Sequence, residues 1–211
     1  MAKNLFNALI IVLFITPCVM AYNSYLTDRD FKIIKQNYNY YQWASELCDI
    51  PIEMLIAVHY REAHLHHGFY SHRRKIVVHN LGGAFMLDCG EDGTPNFEIN
   101  IRNKEQEISK IYNYTGDTRV SHNFEFACLV AAHYIKTKAR YGLNTEHGIA
   151  DTFWGYNGRY HASYLKSSYV CSDPKNGNVM SYYYKANKRI DTNPGCLIIW
   201  RELKNKQEGI K

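Results

Sequence analysis

Glu62 is the residue of this chain with the clearest potential for chemistry. It lies near the end of the segment 50–63, whose apolar residues follow helical spacing and whose Pro51 suits a first helical position. His59 and Glu62 share one face of the predicted helix, so the carboxylate extends a largely apolar stripe. Burial there would raise the pKa of a carboxyl group, and a protonated carboxyl can act as a general acid on a glycosidic oxygen. The structural alternative is that Glu62 pairs with Arg61 or with a nearby histidine.

A dense group of histidines offers a second chemistry, because imidazole is a common zinc ligand. The histidines of this neighbourhood are His59, His64, His66, His67, His72 and His79. The chain has neither the His-Glu-x-x-His motif of zinc hydrolases nor a Cys-x-x-Cys pair. Most of the group also falls in a polar, glycine-containing stretch that is typical of an exposed loop. We therefore expect no metal site and no cofactor, with a histidine-ligated hydrolase as the less favoured alternative.

The composition favours an acidic or glycan partner over nucleic acid. The 211 residues include 25 Lys and Arg against 20 Asp and Glu, a formal charge of +5, without a long basic block. This mild basic excess suits an acidic surface such as a bacterial envelope. Tyrosine is abundant, at 18 residues, and its flat ring with a polar tip suits both core packing and sugar binding. We expect no nucleic-acid partner and a monomeric protein.

The first 21 residues have the pattern of a secretory signal. Lys3 supplies a positive charge, Leu5–Val19 is mostly apolar, and Ala21 precedes a polar stretch, which predicts cleavage after Ala21. The apolar run is shorter than the ~20 residues that usually cross a bilayer. An uncleaved signal anchor, which would attach the protein to the membrane through this segment alone, is the alternative. We expect export to the periplasm or the cell exterior, with 22–211 forming one domain.

Five cysteines follow this segment: Cys48, Cys89, Cys128, Cys171 and Cys196. Export permits disulfide bonds, and the odd count leaves at least one thiol unpaired. Cys171 and Cys196 flank a polar segment, so we expect a disulfide between these two residues.

The periodicity of apolar residues predicts a mainly helical domain. Helices are expected at 37–48, at 50–63, at 105–112, from a cap at Ser121 or Asn123 to a stop at Gly142, after a cap at Asp151, and at 197–203. Residues 64–92 are polar and glycine-dotted, which predicts a long, irregular surface segment. The strand signal is weak and scattered. Helices must therefore position Glu62 and its neighbours.

Three short segments are informative through their order and spacing. They are His59-Tyr60-Arg61-Glu62-Ala63, Leu81-Gly82-Gly83-Ala84-Phe85-Met86-Leu87-Asp88 and Asp151-Thr152-Phe153-Trp154-Gly155-Tyr156-Asn157-Gly158. Together they resemble the lytic transglycosylases with a lysozyme-like fold, the soluble lytic transglycosylase family and its bacteriophage relatives. That family has a helix ending in Glu-Ser, then a Gly-Leu-Met-Gln loop, then an Ala-Tyr-Asn-Ala-Gly stretch. The resemblance covers residues 40–170 and implies a mainly α, lysozyme-like single domain.

The resemblance implies that Glu62 is the catalytic acid. The residues that it places against the glycan are Gly83, Ala84, Phe85, Met86, Tyr156 and Asn157. The hydroxyl of Tyr156 is implied to lie close to the carboxylate of Glu62. Two positions depart from the family pattern: Ala63 stands where serine commonly follows the glutamate, and Met86 stands where the loop has glutamine. As a structural alternative, these segments would be ordinary turns and core positions.

The implied reaction is the cleavage of the β-1,4 bond between N-acetylmuramic acid and N-acetylglucosamine in peptidoglycan. Most glycosidases use two carboxylates, whereas the resembling family uses one, which acts first as an acid and then as a base. Asp88, Glu91 and Asp151 are the nearest candidates for a second carboxylate, and Asp151 fits a helix cap. The product is a 1,6-anhydro sugar, or a hydrolysed sugar if water attacks. A non-catalytic glycan-binding protein of the same fold is an alternative, favoured by Ala63 and Met86.

Overall fold

The computed structural model describes residues 24–67, 69–71, 76–78, 83–85, 97–159, 162–176 and 193–206. Within these ranges the protein is mainly helical, which confirms the prediction of a mainly α protein. The helices are α1 (Asp28–Cys48), α2 (Ile52–Ala63), α3 (Phe97–Ile111), α4 (Phe124–Lys138), α5 (Glu146–Tyr156), α6 (Ser168–Cys171) and α7 (Cys196–Asn205). The strands β1 (Phe69–Ser71) and β2 (Ile76–Val78) form an antiparallel pair. The expected signal segment 1–21 lies outside the described residues, as do Met86 and Cys89.

The first helix, α1, starts at Asp28 rather than at the expected Asn37. The backbone N–H of Thr27 donates to Oδ2 of Asp30 at 2.8 Å, and the N–H of Asp30 donates to Oγ1 of Thr27 at 3.2 Å. This reciprocal capping gives hydrogen-bond partners to backbone N–H groups that have none within the helix. It therefore fixes where α1 begins. The end at Cys48 agrees with the prediction, and Asp49 closes the helix in a left-handed conformation with φ 52°.

The second helix, α2, forms the centre of the core. It starts at Ile52, so Pro51, which was predicted as the first helical position, is instead the N-cap. Every residue of 53–60 is buried, and Ala63 is buried too, so the helix is enclosed on all sides instead of along one stripe. Helices α1, α4 and α7 pack around it. Close packing of this kind leaves the last turn of α2, which carries Glu62, little freedom to move.

Asn123, one of the two predicted caps, begins α4. Its side chain accepts a hydrogen bond from the N–H of Phe126 at 3.3 Å. The helix ends at Lys138 and not at the predicted Gly142, because Ala139 already has extended backbone angles.

The prediction that Asp151 caps a helix is wrong. Helix α5 begins at Glu146, and its cap is Thr145, whose side chain accepts a hydrogen bond from the N–H of Gly148 at 3.1 Å. Asp151 therefore lies in the middle of α5, where it is buried. The true cap, Thr145, thus lies before the predicted cap, Asp151, in the sequence.

The remaining long helices extend beyond their predicted bounds. α3 covers more than the expected 105–112, and α7 extends the expected 197–203 at both ends. A buried carboxylate on α7, Glu202, accepts hydrogen bonds from the N–H groups of Tyr25 at 2.8 Å and Leu26 at 3.2 Å. These bonds attach the first described residues to the last helix. Among the residues described, no helix combines the length and apolarity needed to cross a membrane.

The predicted disulfide between Cys171 and Cys196 is wrong. Both residues are free thiols, as are the other two described cysteines. The Sγ of Cys196 faces the carbonyl oxygen of Ala57 on α2 at 3.8 Å, whereas the Sγ of Cys171 contacts the carbonyl oxygen of Tyr164 at 3.3 Å. The two sulfur atoms therefore pack against different parts of the domain.

Candidate active site

Glu62 is half-buried in the last turn of α2. His64 ends the helix in a left-handed conformation with φ 48°, so the chain turns away just after the carboxylate. The Oε1 atom of Glu62 accepts a hydrogen bond from the hydroxyl of Tyr169 at 2.9 Å. The carboxylate thus lies at the edge of the core, in contact with a residue 107 positions later in the chain.

Tyr169 is held in place by the short helix α6 and by two neighbouring side chains. It is 4% exposed. Its ring stacks on that of Tyr156, with centroids 6.1 Å apart and planes 15° apart, and the guanidinium of Arg61 lies 5.3 Å from the ring centroid. Burial, together with nearby Cys196 and Glu62, raises the pKa of Tyr169 well above its usual value. The phenol therefore stays protonated and available as a donor to the carboxylate.

The side chain of Arg61 binds the chain segment that leads into α7. Its Nη1 donates to the carbonyl oxygen of Asn193 at 2.9 Å and to that of Pro194 at 3.3 Å. These bonds join the end of α2 to the segment that leads into α7. The guanidinium consequently covers one face of Tyr169 while it holds the neighbouring chain in place.

Tyr156 connects the third predicted segment to the second. It is 7% exposed, and its hydroxyl donates to the carbonyl oxygen of Phe85 at 2.8 Å. The resemblance placed this hydroxyl beside Glu62, whereas the hydroxyl bonded to Glu62 at 2.9 Å is that of Tyr169. Tyr156 instead contacts the site through its ring, which stacks on Tyr169.

The turn Gly83–Phe85 is part of the core. Gly83 has φ +66°, and a Cβ added there would lie 2.5 Å from the carbonyl oxygen of Val120, so only glycine fits this position without strain. Ala84 is 1% exposed and Phe85 is fully buried. Gly83 is buried as well, so the whole turn belongs to the core and offers no exposed surface of its own to a glycan. Met86 lies outside the described residues.

Asn157 lies at the C-terminal end of α5 and is half-exposed. Its N–H donates to the carbonyl oxygen of Phe153 at 3.2 Å. Gly158 and Arg159 follow with φ values of +76° and 55°, so the segment turns sharply. Asn157 therefore lies at the turn that follows α5, next to Tyr156 in the sequence.

Asp151 is unsuited to the role of a second catalytic carboxylate. It forms ion pairs with Arg140 and, at 3.2 Å, with Arg159. Burial alone would raise its pKa, but the hydrogen bonds and charges of the two guanidinium groups outweigh burial and hold the pKa below its usual value. The group is therefore a paired structural carboxylate. The other two candidates, Asp88 and Glu91, lie outside the described residues.

The described histidines are engaged in packing and hydrogen bonds. His59 is fully buried, with Nδ1 2.7 Å from the hydroxyl of Tyr41 and Nε2 2.7 Å from the carbonyl oxygen of His66. Burial lowers the pKa of His59 to about 3, so the ring is neutral. His67 stacks on Phe124 at 4.1 Å. In the described ranges, no three His, Cys, Asp or Glu side chains are grouped to hold a metal; His72 and His79 fall outside these ranges.

No protein-family model, no curated protein and no solved structure matches this chain. The geometry of the described residues is therefore the basis for any functional assignment. It brings together Glu62, Tyr156 and the turn Gly83–Phe85, which the sequence had grouped, and it adds Tyr169 and Arg61. Tyr169 was missed because no spacing rule connects it with Glu62, and only its place in the fold identifies it.

Proposed function

We propose that this protein is a peptidoglycan-cleaving lytic transglycosylase or muramidase with a lysozyme-like domain. The observation that carries the proposal is the half-buried carboxylate of Glu62, which accepts a hydrogen bond from the buried, protonated hydroxyl of Tyr169. Tyr156 adds support, because it joins the motif at the end of α5 both to Tyr169 and to the turn Gly83–Phe85. Tyr156 and the turn Gly83–Phe85 are thus linked to the acid through Tyr169, which supports the proposal.

In the proposed reaction, Glu62 donates its proton to the oxygen between N-acetylmuramic acid and N-acetylglucosamine, and the bond from that oxygen to the muramic acid carbon breaks. The N-acetyl group of the same sugar stabilises the positive carbon that forms. The carboxylate, now ionised, removes the proton of the C6 hydroxyl, whose oxygen closes the 1,6-anhydro ring. Attack by water instead would give the hydrolytic product. The hydroxyl of Tyr169 stabilises the charged carboxylate between the two proton transfers.

The position after the acid bears on the alternative of a non-catalytic glycan-binding protein. Ala63, which replaces the family's serine, is buried at 1% exposure and offers no polar group. Tyr169 supplies a hydroxyl to Glu62 from another part of the chain, so the acid has a donor without that serine. This arrangement favours an active enzyme. The proposed place of action is outside the cytoplasmic membrane, where the expected signal segment would direct residues 22–211.

The test of this function is the substitution Glu62→Gln. Glutamine has nearly the same shape but no transferable proton, so wall-lytic activity should fall by about 10²–10⁴-fold while binding to purified peptidoglycan persists. Glu46→Gln makes the same change at an exposed position of α1 and should leave activity unchanged. Mass spectrometry of the wild-type products separates the two reactions, because the anhydro product is lighter by one water.

Wild-type turnover in the Glu62→Gln variant would contradict the assignment of the acid. Binding of peptidoglycan by the wild-type protein without any cleavage would favour the glycan-binding alternative.

A further inference from the structure

Two lysines flank one tyrosine on the surface formed by α3 and α4. The ammonium of Lys104 lies 4.5 Å from the ring centroid of Tyr134, and that of Lys138 lies 4.3 Å from the same centroid. The two nitrogen atoms are thus no more than about 9 Å apart, a spacing at which like charges repel across a protein surface. All three side chains are half-buried, so the ring and the lysine stems are held by the protein while the charged ends reach solvent.

Within the part of the chain that the structure describes, no acidic side chain pairs with these two lysines. Neither ammonium has an ion-pair or hydrogen-bond partner among the described residues, and the hydroxyl of Tyr134 has none there either. The buried acid of α5, Asp151, is already paired with Arg140 and Arg159. Two unpaired cations beside a phenolic hydroxyl form a group of donors that an anion would complete.

A row of three tyrosines connects this group to the candidate active site. The ring of Tyr134 meets that of Tyr156 edge to face at 5.3 Å, and Tyr156 stacks on Tyr169 at 6.1 Å. Tyr169 in turn donates to Glu62. The two centroid distances place Tyr134 no more than about 11 Å from the ring that contacts the acid, so an anion there can belong to the same ligand.

We propose that Lys104, Lys138 and Tyr134 form an anion-binding subsite for the carboxylates of the peptide that branches from N-acetylmuramic acid. This inference rests on the proposed function. An extended peptide advances by about 3.3–3.6 Å per residue, so three or four residues span the distance of about 11 Å between the rings of Tyr169 and Tyr134. Lysine acts as a point charge without a fixed bonding geometry, which suits the carboxylates of a flexible peptide.

The subsite is tested with substrates that differ only in the peptide. Cleavage of peptidoglycan strands that carry their peptides is compared with cleavage of strands stripped of them by an amidase. The double variant Lys104→Gln, Lys138→Gln should raise KM about tenfold on the peptide-bearing strands, the loss expected for bonds to a charged group, and leave KM unchanged on the bare strands. Lys32→Gln with Lys35→Gln removes the same charge from exposed positions of α1 and should change neither value.

An equal rise of KM on both substrates would overturn the subsite, as would an equal rise of KM in the α1 variant.

A direct binding measurement separates this inference from the proposed reaction. A disaccharide tetrapeptide should bind to the Glu62→Gln protein more tightly than its fully amidated counterpart, and the two lysine substitutions should abolish that difference. If the wild type cleaves no glycan but keeps this difference, the reaction is wrong and the subsite stands. Preferential binding of a wall phosphodiester polymer over the tetrapeptide would overturn the peptide as the ligand.

Discussion

The hydrogen bond from Tyr169 to Glu62 gives the first prediction. In Tyr169→Phe the ring is kept and the donor is lost, so stability should change by only about 1 kcal/mol. The bond acts on a charged group, so turnover should fall by at least about tenfold. A hydrogen bond to the charged form of a carboxyl group favours ionisation, and its loss should move the alkaline limb of the pH–rate profile to higher pH. Steady-state kinetics across pH measure both effects.

The control for Tyr169→Phe is Tyr164→Phe. The hydroxyl of Tyr164 lies 3.4 Å from Nδ1 of His147, away from the acid, so this variant should keep the wild-type pH profile. A Tyr169→Phe enzyme with unchanged kinetics would show that the bond is only structural.

Asp151 is predicted to stabilise the fold without taking part in turnover. Asp151→Asn removes the negative charge with which both Arg140 and Arg159 pair. The free energy of unfolding should fall by about 1–3 kcal/mol, because both guanidinium groups retain some contact with solvent. Thermal unfolding should show this loss, while kcat per folded molecule stays at the wild-type value. A drop in kcat as large as that of Glu62→Gln would instead make Asp151 a second catalytic carboxylate.

Single residues differed in how far the sequence could predict them. Glu62 was predicted as an acid because its carboxylate extends an apolar helix face, and Gly83 was predicted near the glycan because its segment resembles the family's loop. Tyr169 could not be found, because it comes from a helix of four residues and meets Glu62 only through the packing of α2, α6 and α7. Cys196 was given the wrong partner for the same reason: two cysteines that flank a polar segment can enter the core at separate points.

The turn Gly83–Phe85 gives a prediction about an element. Gly83→Ala places a Cβ against the carbonyl oxygen of Val120 in a left-handed conformation, and this strain should cost about 1–3 kcal/mol. The carbonyl of Phe85, which accepts from Tyr156, should shift as well, so turnover should fall along with stability. Gly142→Ala is the control, because its new Cβ would meet only the flexible side chain of Asn144. If both variants keep wild-type stability and activity, the turn does not shape the site.

The helices were predicted well where apolar spacing was regular and less well where capping decided their bounds. α2 was placed within two residues because its apolar run and Pro51 agree. The start of α1 was missed because 28–36 is mostly polar, although Thr27 and Asp30 contain a capping box. The end of α4 was placed too late because glycine is a common stop, whereas the backbone leaves the helix three residues earlier, at Ala139.

The whole fold should become less stable as the pH falls below neutrality, because His59 is buried as a neutral ring. Its pKa is about 3 in the folded protein against 6.5 for an exposed histidine. The unfolded chain therefore binds a proton below pH 6.5, and the folded one does so only near pH 3, so this contribution to stability is lost progressively between the two values. From pH 7 to pH 5 the loss should be about 2 kcal/mol.

Urea unfolding at several pH values measures this slope. His59→Gln should flatten it by that amount even though the variant is less stable at pH 7, and His122→Gln, at an exposed position, should leave it unchanged. Identical slopes in all three proteins would mean that carboxyl groups account for the acid sensitivity.

The helical class of the molecule followed from periodicity, but the arrangement of the helices did not. The sequence predicted an apolar stripe along one face of α2, and the helix is instead the element around which α1, α4 and α7 pack. A nearly continuous apolar run such as 54–58 is compatible with either position. Whether such a helix lies at the surface or at the centre depends on how many other helices pack around it. That packing is set by contacts between residues distant in the chain, which the spacing of apolar residues does not show.

The buried thiols make the opening of this core measurable. Cys48 and Cys128 are enclosed near the contact of α1 with α4, and Cys196 is enclosed between α2 and α7. Burial raises the pKa of all three thiols, so an alkylating reagent can reach them as thiolates only when the structure opens locally. Mass spectrometry can measure the labelling rate of each thiol separately. The rates would therefore compare how often the contact of α1 with α4 opens and how often the contact of α2 with α7 opens, and α2 carries Glu62. A glycan that closes around the acid should slow the reaction of Cys196 and leave the other two rates as they were.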